Sequence, residues 1–192
     1  MANPAYIDSD GVLTDGEAMV PLITTTPTAD FEWVSTNDGA VGDWSQYMDL
    51  FIVGYASCIY AADSTLWMRL ELNDDAGANY LAQNLTGEGT GMAASQLDAN
   101  TVGYLPTNHL TAANVFGAYT AQFFDINSGK FKSSAWTTAL DGNGSYARMD
   151  LRGSIWRSQA AITKIELYEP NGFSFVAGSK FSLFGILPRM VT

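Results

Sequence analysis

Few side chains in this sequence could carry out chemistry, and their surroundings argue against each. The one histidine, His109, follows Pro106-Thr107-Asn108. A nucleophilic triad would need it beside a serine and a carboxylate, and no Gly-x-Ser-x-Gly elbow is present. His109 therefore reads as an exposed loop residue. The one cysteine, Cys58, lies in the apolar run Leu50–Tyr60 and reads as a small buried hydrophobe. A single cysteine forms no intrachain disulfide, and one histidine with one cysteine cannot build a zinc site of the usual type. Asn73, Asp74 and Asp75 could approach a calcium ion, but their spacing is not that of an EF-hand loop. The plainer reading is an Asx turn capping a strand.

No two acids stand out as the pair that glycoside hydrolysis needs: Glu166 and Glu169 flank a strand end, and Asp125 and Asp150 lie in strands. Such strand-borne acids read as outward-facing, solvated or interface residues. The expectation is a protein with no catalytic residue, no cofactor and no metal, hence no enzyme. Arg148, Arg152 and Arg157 form a local basic cluster in an acidic chain. They fit either a contact with an acidic neighbour or cross-strand pairing with acids such as Asp150 and Glu166. Trp33, Trp44, Trp67, Trp136 and Trp156 could line a sugar platform, though core or subunit packing suits them better. The sequons Asn84-Leu85-Thr86 and Asn143-Gly144-Ser145 would matter only in a secreted protein.

The elements that would position these residues are strands. Charged residues are only 15% of the chain, aromatics are 12%, and there are 18 glycines. Few charges with many glycines, threonines and aromatics suit an all-β protein, and a surface partly covered by neighbouring subunits. Alternating or doubly apolar runs predict strands at Phe31–Ser35, Tyr47–Tyr60, Leu66–Leu72, Asn79–Leu85, Val115–Ile126, Phe131–Leu140, Tyr146–Trp156, Ile162–Tyr168 and Lys180–Leu187. In Leu66–Leu72, Leu66, Met68, Leu70 and Leu72 face a core. In Tyr47–Tyr60, Leu50 and Ile52 point one way and Phe51, Val53 and Tyr55 the other, so that strand should be covered on both sides. Asp141-Gly142-Asn143-Gly144 signals a hairpin. Residues 87–108, rich in Gly, Ala, Ser and Asn, read as a long loop. No three-turn amphipathic helix, heptad or internal repeat is visible, so the order of signals predicts an antiparallel sandwich and no fibrous shaft.

Two regions are expected. Residues 1–30, with Pro4, Pro21, Pro27 and the run Thr24–Thr26, read as an extended arm with one short strand near Met19–Ile23. Arms of this kind gain order against a partner. Its apolar residues Tyr6, Ile7, Val12, Leu13, Pro21 and Ile23 are contact candidates, together with Arg148, Arg152 and Arg157. Residues 31–192 form one domain, which can bury ~70% of its unfolded surface.

The formal net charge is −11, which argues against nucleic acid and anionic membrane as partners. No stretch approaches the ~20 apolar residues of a membrane helix. The first twenty residues carry Asp8, Asp10, Asp15 and Glu17, no Lys or Arg and no apolar core, so no signal peptide is read there. Synthesis in a cytoplasm, without export by the usual route, is the expectation.

Two segments resemble a module of tailed-phage virion proteins. One is Ala160-Ala161-Ile162-Thr163-Lys164-Ile165-Glu166-Leu167, a turn, then Gly172 to Ile186 with Gly178-Ser179 and Leu183-Phe184-Gly185-Ile186. It is similar to the terminal strand pair of those proteins, which closes on "LYGI". The other, Leu70-Glu71-Leu72-Asn73-Asp74-Asp75-Ala76-Gly77-Ala78-Asn79-Tyr80, resembles their "lrFNgDtgaNY" strand and turn. Gly153-Ser154-Ile155-Trp156-Arg157 lies where they often carry an aromatic. The departures are Asn73-Asp74 in place of Asn-Gly, and Phe184 in place of Tyr.

The resemblance covers roughly residues 47–186. It implies an antiparallel jelly-roll-like β-sandwich in a virion structural protein. The expected role is capsid decoration (cement), as a homo-oligomer, in particular a trimer, bound to the major capsid protein or other virion proteins through the arm. The alternative is a tail appendage or fibre head that binds host-surface glycan through exposed aromatics.

Overall fold

The protein is described here by a computed structural model, which covers residues 19–36, 42–57, 65–100, 103–109, 116–141, 147–168 and 174–187. Among them are twelve strands: β1 (Met19–Thr25), β2 (Phe31–Val34), β3 (Asp49–Ala56), β4 (Thr65–Leu72), β5 (Tyr80–Glu88), β6 (Gly91–Asn100), β7 (Gly103–His109), β8 (Gly117–Phe124), β9 (Lys132–Asp141), β10 (Ala147–Trp156), β11 (Lys164–Tyr168) and β12 (Lys180–Ile186). A single 3-10 turn, Trp44–Gln46, precedes β3.

The strands form an eight-stranded sheet, ordered β1-β12-β3-β8-β9-β10-β5-β6, and a four-stranded sheet, ordered β2-β11-β4-β7. Every pairing among them is antiparallel. The pairings are nested. β3, β4 and β5 pair with β12, β11 and β10 on one side, and with β8, β7 and β6 on the other. Strands β1 to β5, β6 to β8 and β10 to β12 alternate between the sheets, while β5–β6 and β8–β9–β10 pair with their sequence neighbours in the large sheet, so the chain rolls over itself as a set of nested antiparallel pairs. This is a jelly-roll-like β-sandwich.

The core is built as alternation dictates. Met68, Leu70 and Leu72 of β4 and Ile165 and Leu167 of β11 face Leu50, Ile52, Phe123, Phe181 and Leu183 of the large sheet. Aromatic rings lock it: Phe123 meets Trp136 edge-on at 5.2 Å, and Phe175 meets Phe181 edge-on at 5.5 Å. Gly54 and Gly185 are required for packing. A Cβ on Gly54 would lie 2.6 Å from the Phe181 ring, and one on Gly185 would lie 2.5 Å from the Tyr47 ring. Gly185 thus makes room for an aromatic rather than for a bend.

The turn and loop motifs of the resemblance also serve the fold. Asn73 and Asp74 both have positive φ, at 53° and 57°, and Asp75 N–H donates to Leu72 O. That is the geometry of a type I′ turn, here joining β4 of the small sheet to β5 of the large one. Asn73 Oδ1 accepts from Thr163 N and Lys164 N, while its Nδ2 donates to Ala161 O. The turn is thereby tied to the start of β11. Ser179, fully buried, accepts from Ser57 N and donates to Ser57 O.

Three expectations are corrected. Residues 87–108 are not a loop: β6 and β7 lie there, β6 held by its ladder to β5 from Ala82–Leu97 to Glu88–Gly91. A run of Gly, Ala and Ser carries no apolar period, yet its backbone pairs as well as any other. His109 accordingly ends strand β7, opposite Thr65, and is no loop residue. Finally, β1 is an integral edge strand of the large sheet, with Val20 buried and Thr25 Oγ1 accepting from Trp33 Nε1. Residues 19–30 therefore belong with the sandwich rather than with an arm. Residues 1–18, including Tyr6, Ile7, Val12 and Leu13, lie outside the described residues, as do Cys58, Glu169 and the Gly142–Gly144 turn.

Candidate interaction surface

The large sheet is inverted at β10. Its even positions point into the sandwich and its odd positions point out. The inward set is Arg148, Asp150, Arg152, Ser154 and Trp156; the outward set is Ala147, Met149, Leu151, Gly153 and Ile155. Asp150 is 1% exposed and Arg152 is 2% exposed, whereas Met149 and Leu151 are 58% and 53% exposed.

The buried charges are satisfied by neighbours along their own strand and across from it. Asp150 sits opposite Thr86 on β5 and Thr138 on β9, and Arg152 sits opposite Asn84. Arg148 grips Asp150 with two donors, Nε to Oδ2 at 2.9 Å and Nη2 to Oδ1 at 3.1 Å. Thr86 Oγ1 and Asn84 Nδ2 also donate to Asp150 Oδ1. Arg148 Nη1 reaches Glu88 at 3.2 Å, and Arg152 Nε donates to Asn84 Oδ1 at 3.4 Å. Burial pushes the Asp150 carboxyl up, but the bonds from Arg148, Thr86 and Asn84 outweigh it and hold the carboxyl below its ordinary range.

This geometry corrects two expectations. Of the two readings of Arg148 and Arg152, pairing inside the chain holds, Arg148 with Asp150 of its own strand and Glu88 across from it, Arg152 with Asn84 across from it, and the burial of Arg152 removes it as a contact residue. Asp150 faces inward and is no solvated acid. Arg157, past the end of β10, is exposed. Pro21 is exposed on β1, and Ile23 is half-buried against the core.

The outward face that results is apolar and almost free of charge. From β12 to the β6 edge, the rows read Phe184, Phe51, Gln122, Ala135, Gly153, Gln83 and Gln96, then Ser182, Val53, Thr120, Thr137, Leu151, Leu85 and Ala94. Met149 with Gly87 and Met92, and Ile155 with Leu81, extend it. Among the described side chains on this face, the charged ones are Lys180, beside Tyr55 at one corner, and Asp49. Asp49 is buried and accepts from Gln122 Nε2 and Asp125 N–H. The apolar set Phe51, Val53 and Tyr55, expected to be covered, lies on this face, with Tyr55 53% exposed. A hollow of about 450 Å³ opens over Gly153, lined by Leu81, Gln83, Gln96, Ser133 and Ile155.

The outward face of the small sheet is its opposite. Glu32, Glu166 and Glu71 stand in one row across β2, β11 and β4. Lys164 Nζ bridges Glu32 and Asp74. Burial raises the Glu71 carboxyl, and the charge of Glu166 raises it further. Burial also raises Glu166, aided by Glu32 and Asp74 against the pull of Lys164. Glu71, Asp74 and Glu166 bring carboxylate oxygens within 4.8 Å of one another, a spacing a cation could bridge. The turn residues beside them are committed to protein donors: Asp75 accepts from Gly77 N, Asn79 Nδ2 and Trp156 Nε1. That is the Asx-turn arrangement.

Four of the five tryptophans are core residues, and the Trp67 side chain lies outside the described residues. Trp33, Trp44, Trp136 and Trp156 are all at most 4% exposed, which removes them as a sugar platform. Sequence alternation in β10 held the signal for the apolar face. It did not tell which of the two alternating sets faces in.

No family model and no curated protein matches the chain. Among solved structures, it overlaps lectin I from Ulex europaeus, in complex with the methyl glycoside of alpha-L-fucose, over 95% of this chain and 90% of that one. The identity is 10% and the TM-score 0.16, a likeness too slight to carry an argument about fold or ligand.

Proposed function

We propose that the protein is a structural subunit of a tailed-phage particle, a capsid decoration protein that binds the shell and stabilises it through subunit contacts. The observation that carries this reading is the uncharged outer face of the eight-stranded sheet. A monomer of net charge −11 has enough polar residues to cover such a face, yet places Arg148, Asp150 and Arg152 beneath it and leaves Met149, Leu151 and Ile155 on it. A large apolar patch with no charge is the mark of a surface that is covered in use. The resemblance of residues 160–186 and 70–80 to virion proteins supplies the particle. The segment before β1 supplies the reach to the shell lattice, by wrapping rather than by a broad face.

Copy number in purified particles, by quantitative mass spectrometry against the major capsid protein, tests the reading. A ratio near one-to-one or one-to-three is expected. A few tens of copies or fewer would overturn decoration in favour of a tail appendage. Removing residues 2–17, which spares β1, is expected to abolish particle binding while the circular dichroism spectrum stays unchanged.

A further inference from the structure

We propose that the uncharged face of the eight-stranded sheet binds the same face of a second copy of this chain. The inference deepens the subunit reading and rests on it insofar as both require this face to be covered. Three observations select a like partner.

The first is charge. Two copies at −11 repel one another wherever their acids meet. Among the described side chains the face carries one acid, the buried Asp49, and one base, Lys180 at a corner, so it offers little to a basic or an acidic partner. It is the one sheet surface on which like-charged chains can meet without juxtaposing carboxylates, whereas the small sheet presents the row Glu32, Glu166 and Glu71.

The second is area. Eight strands spaced ~4.8 Å apart span ~34 Å, and six residues rising ~3.3 Å each span ~20 Å, so the face covers roughly 700 Å² in projection. That is close to the ~800 Å² each partner contributes to a standard stable interface.

The third is relief. Gly153 and Gly87 lie within β10 and β5, and a Cβ at either would meet nothing within 4 Å. A glycine inside a strand weakens it and often marks the close approach of another backbone or ligand. No described residue uses that space. The hollow over Gly153 lies between the raised pairs Leu151–Leu85 and Ile155–Leu81, so the ridge of one copy can enter the hollow of the other. Two such sheets pack face to face ~10 Å apart. A face that meets its own kind about a twofold axis closes at two copies, so the oligomer is a dimer rather than the trimer anticipated from the resemblance.

The test is sedimentation velocity of the purified full chain from micromolar to submillimolar concentration, with Leu151→Glu and Gly153→Arg beside it. The expected result is a wild-type mass of twice 20.7 kDa and a mass of 20.7 kDa for each variant. Circular dichroism and thermal unfolding at high dilution are expected to show both variants folded, since Leu151 is already half exposed and Gly153 has open space above it. If Leu151→Glu were to misfold, Gly153→Arg alone decides. A monomeric wild type, a trimer, or a dimer indifferent to both substitutions would overturn the proposal. A monomer found at high copy number on particles would sink the dimer and leave the decoration role standing; a dimer absent from particles would do the reverse.

Discussion

The outward faces of the two sheets are made from the same chain and face the same solvent, yet they are opposites. The small sheet presents Glu32, Glu71, Glu166, Arg69 and Lys164; the large one presents leucine, methionine, alanine, threonine and glutamine. The small sheet is what an isolated sandwich needs, with apolar residues in and charges out. The large sheet at β10 has its ionic residues in and its apolar residues out. The difference teaches that the interior polarity of a sandwich can be exchanged for exterior apolarity when the buried charges find fixed partners. Here Arg148 and Asp150 do, with Thr86 and Asn84 completing the shell. Buried ion pairs seldom add stability over a well-packed apolar core. On the proposed reading, their presence here frees the opposite side of β10 for contact.

The largest effect should come from breaking the inverted interior. Asp150→Ala leaves Arg148 without its bidentate partner and removes the acceptor for Thr86 and Asn84. A loss of ~3–5 kcal/mol is expected in urea unfolding at fixed protein concentration. A loss below 1 kcal/mol would mean that solvent reaches the site and that the inversion is shallow.

Glycines sharpen the same contrast. Gly185→Ala drives a Cβ into the Tyr47 ring and should cost ~1–3 kcal/mol, since an overpacked core must shift. Gly153→Ala meets open space and should be neutral or stabilising by up to ~1 kcal/mol in the dilute protein. Thermal melts of the pair check this directly, and equal effects would place Gly153 against something within the chain.

The smallest effect probes the charged face. Glu166→Gln relieves the row Glu32–Glu166–Glu71 and should stabilise by less than ~1 kcal/mol at neutral pH. The sign of its pH dependence follows from the raised carboxyls of Glu71 and Glu166. The folded protein takes up protons there before the unfolded chain does, so folding gains as pH falls through the folded values towards 4.5. The wild type then catches up with Glu166→Gln. Below 3.8 the depressed carboxyls of Asp75 and Asp150 reverse the trend, and stability is lost as they protonate. Urea unfolding of both proteins across this range reads the convergence, and a widening gap would contradict it.

Much of this architecture was legible residue by residue. Leu66–Leu72 announced β4 through strict alternation, and Met68, Leu70 and Leu72 are core as that alternation requires. The Asn73-Asp74 turn and the Lys180–Ile186 strand were equally plain. Residues 91–109 were not, because Gly, Ala and Ser carry no hydrophobic period and their strands exist through pairing with β5 and β4. The candidate surface was half legible. Tyr47–Tyr60 was apolar on both sides, and Tyr146–Trp156 alternated apolar with charged residues.

Alternation by itself determined that β10 has two unlike faces and that β3 has two like ones. A period of two is indifferent to which face is buried. Only the tertiary structure decided that. It set Asn84 and Thr86 of β5 and Thr138 of β9 on the same side as Arg148, Asp150 and Arg152, where each buried charge finds a hydrogen-bonding partner, and so left Met149, Leu151 and Ile155 to the outside.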